Sequence, residues 1–358
     1  MNIEKTIEQL LTTLTDPFLA QTARDMGVKS TFSLEGDTCA LHLSAGFPTH
    51  LLEKTFLPRL QAALQQALPD HRIEVTLNQF IKAHRTQLAG KGLRGVRNTI
   101  AIASGKGGVG KSTVTVNIAT ALARLGARVG ILDADIYGPS IPIMLGKTEP
   151  VQMDGERYLP VRAHGVQAMS IGYLTNETNS TLIWRGPMLA KSLLQMLDIT
   201  AWDELDYLFI DLPPGTGDIQ LSLVQKIPLT AAIIVTTPQN VATHDADKAL
   251  NLFEKTGIHV LGIVENMSQH RCDQCGQQTA VFGEGGALAL SKKHTCELLG
   301  QLPLDARIGD DSDIGSPTAL RDTGSLTDAF TLVALKAALA LSQRPLNYAD
   351  RFPHVVVE

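Results

Sequence analysis

Apolar positions change their period along the chain, and the change separates two kinds of segment. From Ile3 to Leu14 they recur at helical spacing, and Asp16-Pro17 then breaks the pattern. Ser30 to Leu34 and Thr38 to Leu43 alternate apolar and polar residues, as half-buried strands do. A helical stretch from about Thr49 to Ala67 carries Pro58, which predicts an interruption or kink there. Arg72 to Leu77 reads as a last strand. The order αββαβ predicts a small α+β domain over residues 1–81.

Residues 82–97 are basic and carry Gly90, Gly92 and Gly95, which predicts a linker. From Thr99 onward the rhythm differs. Thr99–Ala103, Val129–Leu132, Tyr207–Asp211, Ala231–Thr236 and Val260–Val264 are short apolar runs, and helical patterns follow most of them. Such alternation predicts an α/β domain over 98–345, with a mostly parallel, doubly wound sheet and ligands at the C-terminal ends of its strands. Residues 147–183 break the rhythm and predict an insertion or hairpin. Leu326 to Leu341 is apolar enough to be a core helix, and 346–358 reads as a tail.

The chemistry begins where the first of these strands meets its helix. Residues 104–113 read Ser-Gly-Lys-Gly-Gly-Val-Gly-Lys-Ser-Thr. A strand, a glycine loop and a helix in that order make a phosphate-binding loop. Gly105, Gly107, Gly108 and Gly110 let backbone N–H groups, Val109 among them, converge on phosphate oxygens, and the helix N-terminus adds partial positive charge. Lys111 reaches the β- and γ-phosphates, Ser112 offers its hydroxyl to Mg²⁺, and Thr113 completes the loop. The ligand expected is ATP, on a P-loop NTPase sheet. Asp133 and Asp135 end one strand, and Asp211 ends another before Leu-Pro-Pro-Gly-Thr-Gly217. Aspartates at strand ends beside such a loop face the metal and the γ-phosphate. Asp211 would hold Mg²⁺, and Gly215 and Gly217 would let its loop move when the γ-phosphate leaves. Asn266 ends a further strand and is placed either to read the adenine edge or to cap.

Lys106 gives the loop a second lysine, five residues before Lys111. This resembles the deviant Walker A motif of the MinD/ParA/nitrogenase-reductase ATPases. The resemblance implies a homodimer in which Lys106 reaches the partner's ATP, acting on developing charge as an arginine finger does. It also implies that Asp135 orients the attacking water.

Composition narrows the classes. The 358 residues carry a net charge of −5, with 44% hydrophobic and 19% charged residues. That balance describes an ordinary globular protein without the basic footprint of a nucleic-acid binder. The acidic N-terminus is no signal peptide, no run of about 18 apolar residues predicts a membrane span, and four cysteines form no disulfide framework. A cytoplasmic protein with reduced thiols is expected, with neither nucleic acid nor membrane as partner.

Cys272-Asp-Gln-Cys275 lies in a polar loop after the 260–264 strand. Two thiolates grip one edge of a metal but do not close a tetrahedral site. The residues leave four readings open: a redox dithiol, zinc within one chain using His294 and Cys296 or His270, a Cys₄ site shared across a two-fold axis, and a ligand-free surface pair. Around this loop, Glu265-Asn-Met-Ser268, Phe282-Gly-Glu-Gly-Gly286, Trp184-Arg-Gly-Pro-Met188 and Gln301-Leu-Pro-Leu-Asp305 make nearly the whole chain resemble the Mrp/ApbC iron–sulfur cluster carrier ATPases. That resemblance implies a [4Fe–4S] cluster bridged by Cys272 and Cys275 of two subunits. It also implies delivery to apo iron–sulfur client proteins and loading from a cluster-assembly scaffold. Trp184-Arg-Gly-Pro has no assigned role beyond a helix start at Pro187. The first domain resembles the MIP18-like domain, with one departure: Ser44-Ala-Gly-Phe-Pro48 lacks that family's loop cysteine, and Cys39, in a strand, reads as core. A spatial-organising ATPase of the MinD/ParA kind and an ATPase with a structural zinc loop are the alternatives.

Overall fold

The computed structural model describes residues 3–136, 138–174, 186–272 and 274–347. They cluster into two units, one of residues 1–82 with 338–344, the other of 83–337 with the remaining C-terminal residues.

The first unit is built from α1 (Ile3–Thr13), β1 (Lys29–Glu35), β2 (Thr38–Ala45), α2 (His50–Thr55), α3 (Leu57–Ala67) and β3 (Arg72–Gln79). Strands β1 and β2 pair antiparallel, β2 and β3 parallel, in the order β1-β2-β3. The parallel pair needs a crossover, and α2 and α3 supply it. They are two helices because the pattern breaks at Phe56, and Pro58 sits in the first turn of α3, where its missing N–H costs nothing. Alternation in β2 buries Cys39, Leu41, Leu43 and Ala45, so Cys39 is a packed thiol of the core, as its sequence position suggests.

The second unit centres on an eight-stranded sheet. Its elements run β4 (Thr99–Ala103), α4 (Lys111–Arg124), β5 (Val129–Asp133), α5 (Ile141–Met144), β6 (Gln152–Asp154), β7 (Arg157–Leu159), β8 (Val161–Ala163), β9 (Val166–Ser170) and α6 (Gly186–Ile199). They continue with β10 (Tyr207–Asp211), α7 (Asp218–Lys226), β11 (Ala231–Thr236), α8 (Asn240–Lys255), β12 (Val260–Glu265), β13 (His270–Arg271) and β14 (Gln278–Thr279). The last are α9 (Gly286–His294), β15 (Glu297–Gln301), α10 (Ala306–Asp313) and α11 (Ser325–Ser342). The sheet order is β15-β12-β11-β4-β10-β5-β9-β8, parallel throughout except for β8. Strands β4, β5, β10, β11 and β12 are buried at every position, which is why they read as unbroken apolar runs. Adjacency of β4, β10 and β5 brings the loops that follow them to one edge, with Asp211 paired in register with Asp133.

The break after residue 147 is a β6–β7 hairpin, one of the two forms expected there, followed by a second hairpin whose strand β9 joins the main sheet beside β5. One expectation needs correction. The expected linker is strapped to the second unit. Gln87 donates to the carbonyls of Val224 (3.0 Å) and Ile227 (2.7 Å) and accepts from the Leu229 N–H (2.7 Å), bonds that a basic, glycine-bearing composition does not announce. Helix α6 begins at Gly186, with Pro187 in its first turn; Trp184 and Arg185 lie outside the described residues, as does the tail from 348. By length and composition α11 could cross a membrane, but 56% of it is buried inside the protein.

Candidate functional site

The phosphate loop connects β4 to the N-terminus of α4, a helix of 14 residues. Gly110 takes φ +81°, and a Cβ there would lie 2.2 Å from the Asn266 side-chain nitrogen, so only glycine fits. Gly105 is pressed against α8: a Cβ would meet the Asp245 carbonyl carbon at 2.1 Å. Lys111 is buried, with Nζ 2.7 Å from Asp211 Oδ2 and 3.8 Å from Asp135 Oδ2. Ser112 Oγ donates to Asp211 Oδ2 at 2.6 Å, and Thr115 Oγ1 to Asp211 Oδ1 at 2.6 Å. Thr115 was not anticipated, although its position four residues after Lys111 puts it on the same helical face.

Asp133 accepts from Ser170 Oγ (2.9 Å) and from the Asp135 N–H (3.1 Å). Burial, and then the neighbouring Asp211 carboxylate, push the Asp133 carboxyl up to about 8. Burial also raises Asp135, against the pull of Lys111. Asp133, Asp135 and Asp211 thus crowd around the single ammonium of Lys111, and a divalent cation would relieve the excess. The hard oxygen donors Ser112 Oγ and Asp211 Oδ2 suit Mg²⁺.

Lys106 lies on the other side of the loop, half-buried, with Nζ 3.3 Å from Gln239 Oε1 at the start of α8. Among the described residues it has no carboxylate at salt-bridge distance. Asn266 follows β12 and its amide nitrogen donates to the Val109 carbonyl at 2.9 Å, so it props the phosphate loop. A largely apolar cleft of about 670 Å³ opens beside it, lined by Gly110, Thr113, Asn266, Pro303, Leu304 and Ile308. Its place next to the helix N-terminus and its apolar walls suit a flat base. Pro303 and Leu304 of that wall fall within Gln301–Asp305, a motif that in the sequence bears only on the family resemblance.

The cysteines sit at the tip of the β13–β14 hairpin. The Cys272 N–H donates to Gln277 O (2.9 Å) and the Gly276 N–H to Cys272 O (2.8 Å), which closes the turn. Cys272 is half-buried, Cys275 is exposed, and neither forms a disulfide. Asp273 lies outside the described residues. Among the described residues no group of three or more His, Cys, Asp or Glu gathers to hold a metal. His294 is committed elsewhere: Nε2 is 2.7 Å from Asp247 Oδ1 and Nδ1 is 2.7 Å from Glu254 Oε1. His270 Nδ1 faces the Leu304 carbonyl at 3.1 Å, and Cys296 packs partly against the core. The single-chain zinc set therefore does not assemble among these residues.

The His294 contacts carry a prediction of their own. Burial works to lower its pKa, but the Asp247 and Glu254 carboxylates outweigh that and raise it. The charged clamp between α8 and α9 is therefore fully present below the unfolded histidine value of about 6.5 and fades as pH rises through the folded value. His294→Gln is expected to lose about 1–3 kcal/mol below pH 6 and much less above pH 9. Denaturant unfolding at the two pH values checks it.

A family model described as "ParA: NUBPL iron-transfer P-loop NTPase" matches residues 95–337. The chain belongs to this family. Nucleotide binding comes with membership of a P-loop NTPase family. The Haemophilus influenzae "Iron-sulfur cluster carrier protein" is 50% identical over 289 residues, 78% of either chain. The protein of the same description from Deinococcus radiodurans is 41% identical over 340 residues, 94% of this chain and 95% of its own. Among solved structures, the Archaeoglobus fulgidus nucleotide-binding protein in complex with ADP aligns with a TM-score of 0.56 at 42% identity, over 62% of this chain and 87% of that one. The Pyrococcus furiosus cell division ATPase MinD aligns with a TM-score of 0.50 at 22% identity, over 67% and 97% of the two chains, a likeness of fold alone.

Proposed function

We propose that this NUBPL-family ATPase carries an iron–sulfur cluster between Cys272 and Cys275 of two copies of the chain, and that ATP binding and hydrolysis gate its release to apo-proteins in the cytoplasm. One observation carries the reading. Cys272 follows Asn266 by six residues in sequence, and Asn266 holds the phosphate loop through Val109 O. A change in that loop therefore reaches the cysteine hairpin along one short stretch of chain. The relatives described as cluster carriers support the cargo, and four soft thiolates from two chains suit a [4Fe–4S] core.

In the nucleotide site the loop amides and Lys111 would bind the phosphates, and Ser112 with Asp211 would hold Mg²⁺, whose charge would offset that of the phosphate oxygens. To meet the phosphates, Lys111 must leave Asp211, which then keeps Thr115 as its hydrogen-bond donor. Asp135 orients the attacking water. The Gly215 N–H donates to Ser104 O at 3.0 Å and clips the loop after β10 to the start of the phosphate loop, so release of the γ-phosphate is felt there. Gating requires that nucleotide favour one hairpin arrangement by a few kcal/mol. Lys106, released from Gln239, would complete the partner's site. Lys106→Ala is accordingly expected to keep nucleotide binding and lower turnover on the order of 10³-fold, checked by single-turnover hydrolysis beside equilibrium binding.

The test of the function is anaerobic reconstitution with iron, sulfide and zinc counted. About four irons and four sulfides per dimer, transferable to an apo-ferredoxin faster with ATP than without, is the expected result. Stoichiometric zinc on monomers, without sulfide, would leave an ATPase with a structural metal loop.

A further inference from the structure

Beside the two cysteines lies a polar cleft of about 790 Å³, lined among others by Arg271, Cys272, Cys275, Gln301, Asp305 and Arg307. Its two arginines are in different situations. Arg307 is spoken for: its Nε donates to Asp305 Oδ1 at 2.8 Å and its Nη2 to Oδ2 at 2.5 Å, so the pair adds no net charge to the cleft. Arg271 has no carboxylate within salt-bridge distance among the described residues.

Arg271 is also placed by the hairpin. It pairs with Gln278 in the last register position before the turn and directly precedes Cys272. Its guanidinium folds back over the turn, with Nη2 and Nε only 3.7 and 3.8 Å from where a Cβ on Gly276 would stand. Gly276 itself has φ +72°, so the turn stays open to the guanidinium. Among the described residues, a cation with no carboxylate at salt-bridge distance therefore overlies the Cys-x-x-Cys turn, in a cleft that both thiols line.

We propose that Arg271 is the counter-cation of the thiolate-bound cargo and a positioning residue that slows its loss. The inference rests on the carrier reading above. A metal–sulfide core held by four thiolates is anionic, and its stability depends on charges and hydrogen bonds around the sulfurs as well as on the ligands themselves. In a dimer each copy supplies one Arg271, so two cations face the shared anion. No bond to the metal is made or broken by the arginine; it lowers the energy of the loaded state.

The test uses the full-length reconstituted protein, held anaerobically, with iron release to a ferrous chelator followed at low and at high salt. Arg271→Gln is expected to release iron roughly threefold to fivefold faster at low salt, the size an exposed charge pair carries. The difference should shrink in about 1 M salt, where the screening length is near 3 Å. Arg271→Lys keeps the charge and should stay close to wild type. Arg94→Gln, an exposed arginine outside the cleft, should release iron at the wild-type rate. A reduction potential lower in Arg271→Gln than in wild type is the second readout. Equal release by Arg271→Gln and wild type overturns the proposal, as does the same acceleration in Arg94→Gln or a failure of lysine to restore retention. A wild-type protein that takes up no iron and sulfide removes the carrier reading itself, a result read before any variant is compared.

Discussion

Serine at position 272 or at position 275 is expected to abolish retained iron and sulfide, from about four of each per dimer to none. The size of the effect follows from symmetry. Two thiols per chain are all that the hairpin offers, and no third ligand joins them among the described residues. One substitution in a symmetric dimer therefore deletes two of four ligands. A serine hydroxyl stays protonated near neutral pH and does not replace a soft thiolate. The fold should survive, since Cys275 is exposed and Cys272 half-buried at a hairpin tip held by backbone bonds. Iron and sulfide analysis beside a thermal melt checks both halves. Iron kept by either variant would move the cluster away from this hairpin.

Removal of the Lys111 side chain is the second large effect. Asp211 is fully buried, and its carboxylate is satisfied by Lys111, Ser112 and Thr115. Lys111→Ala leaves that charge with only two hydroxyls, and breaking a buried pair from one side costs about 3–5 kcal/mol. The same change removes the cation that meets the phosphates, for a loss of hydrolysis on the order of 10²–10³-fold or more. Stability and turnover thus fall together. Asp211→Asn breaks the same pair from the other side: it leaves the buried Lys111 ammonium with only the Asp135 carboxylate at 3.8 Å, puts an amide N–H where one hydroxyl donated, and weakens the Mg²⁺ site. It is expected to cost stability of similar size and nearly all Mg²⁺-dependent turnover. Unfolding in denaturant and phosphate release, measured on both variants, decide the matter. Full turnover in Asp211→Asn would exclude this carboxylate as the metal's ligand.

Much of this was legible in advance for reasons that are local. Strands buried on both faces must be apolar throughout, so β4, β5, β10, β11 and β12 announce themselves within a residue or so. Glycines in the phosphate loop answer a backbone requirement that any sequence with this loop must meet. Asp133 and Asp211 end apolar runs, and parallel neighbours end at one edge. The one misreading has a different cause. Residues 82–97 look like a linker because Gln87 bonds to backbone groups, and backbone partners leave no mark on composition. The stretch after residue 147 breaks the rhythm because β9 enters the sheet through an antiparallel hairpin rather than behind a helix.

What the sequence determined alone is therefore the kind of chemistry: a phosphate loop, acidic strand ends and a thiol pair, each fixed by residues a few positions apart. What only the tertiary structure decided is which distant groups share a site. It put Thr115 and Lys111 on one carboxylate, set Asn266 under the phosphate loop, and engaged both nitrogens of His294 far from any thiol duty. It also placed the Arg271 guanidinium over the cysteine turn. Those pairings depend on which strands lie side by side and where each helix packs. Burial of the whole core sets both, and no short stretch of chain encodes them.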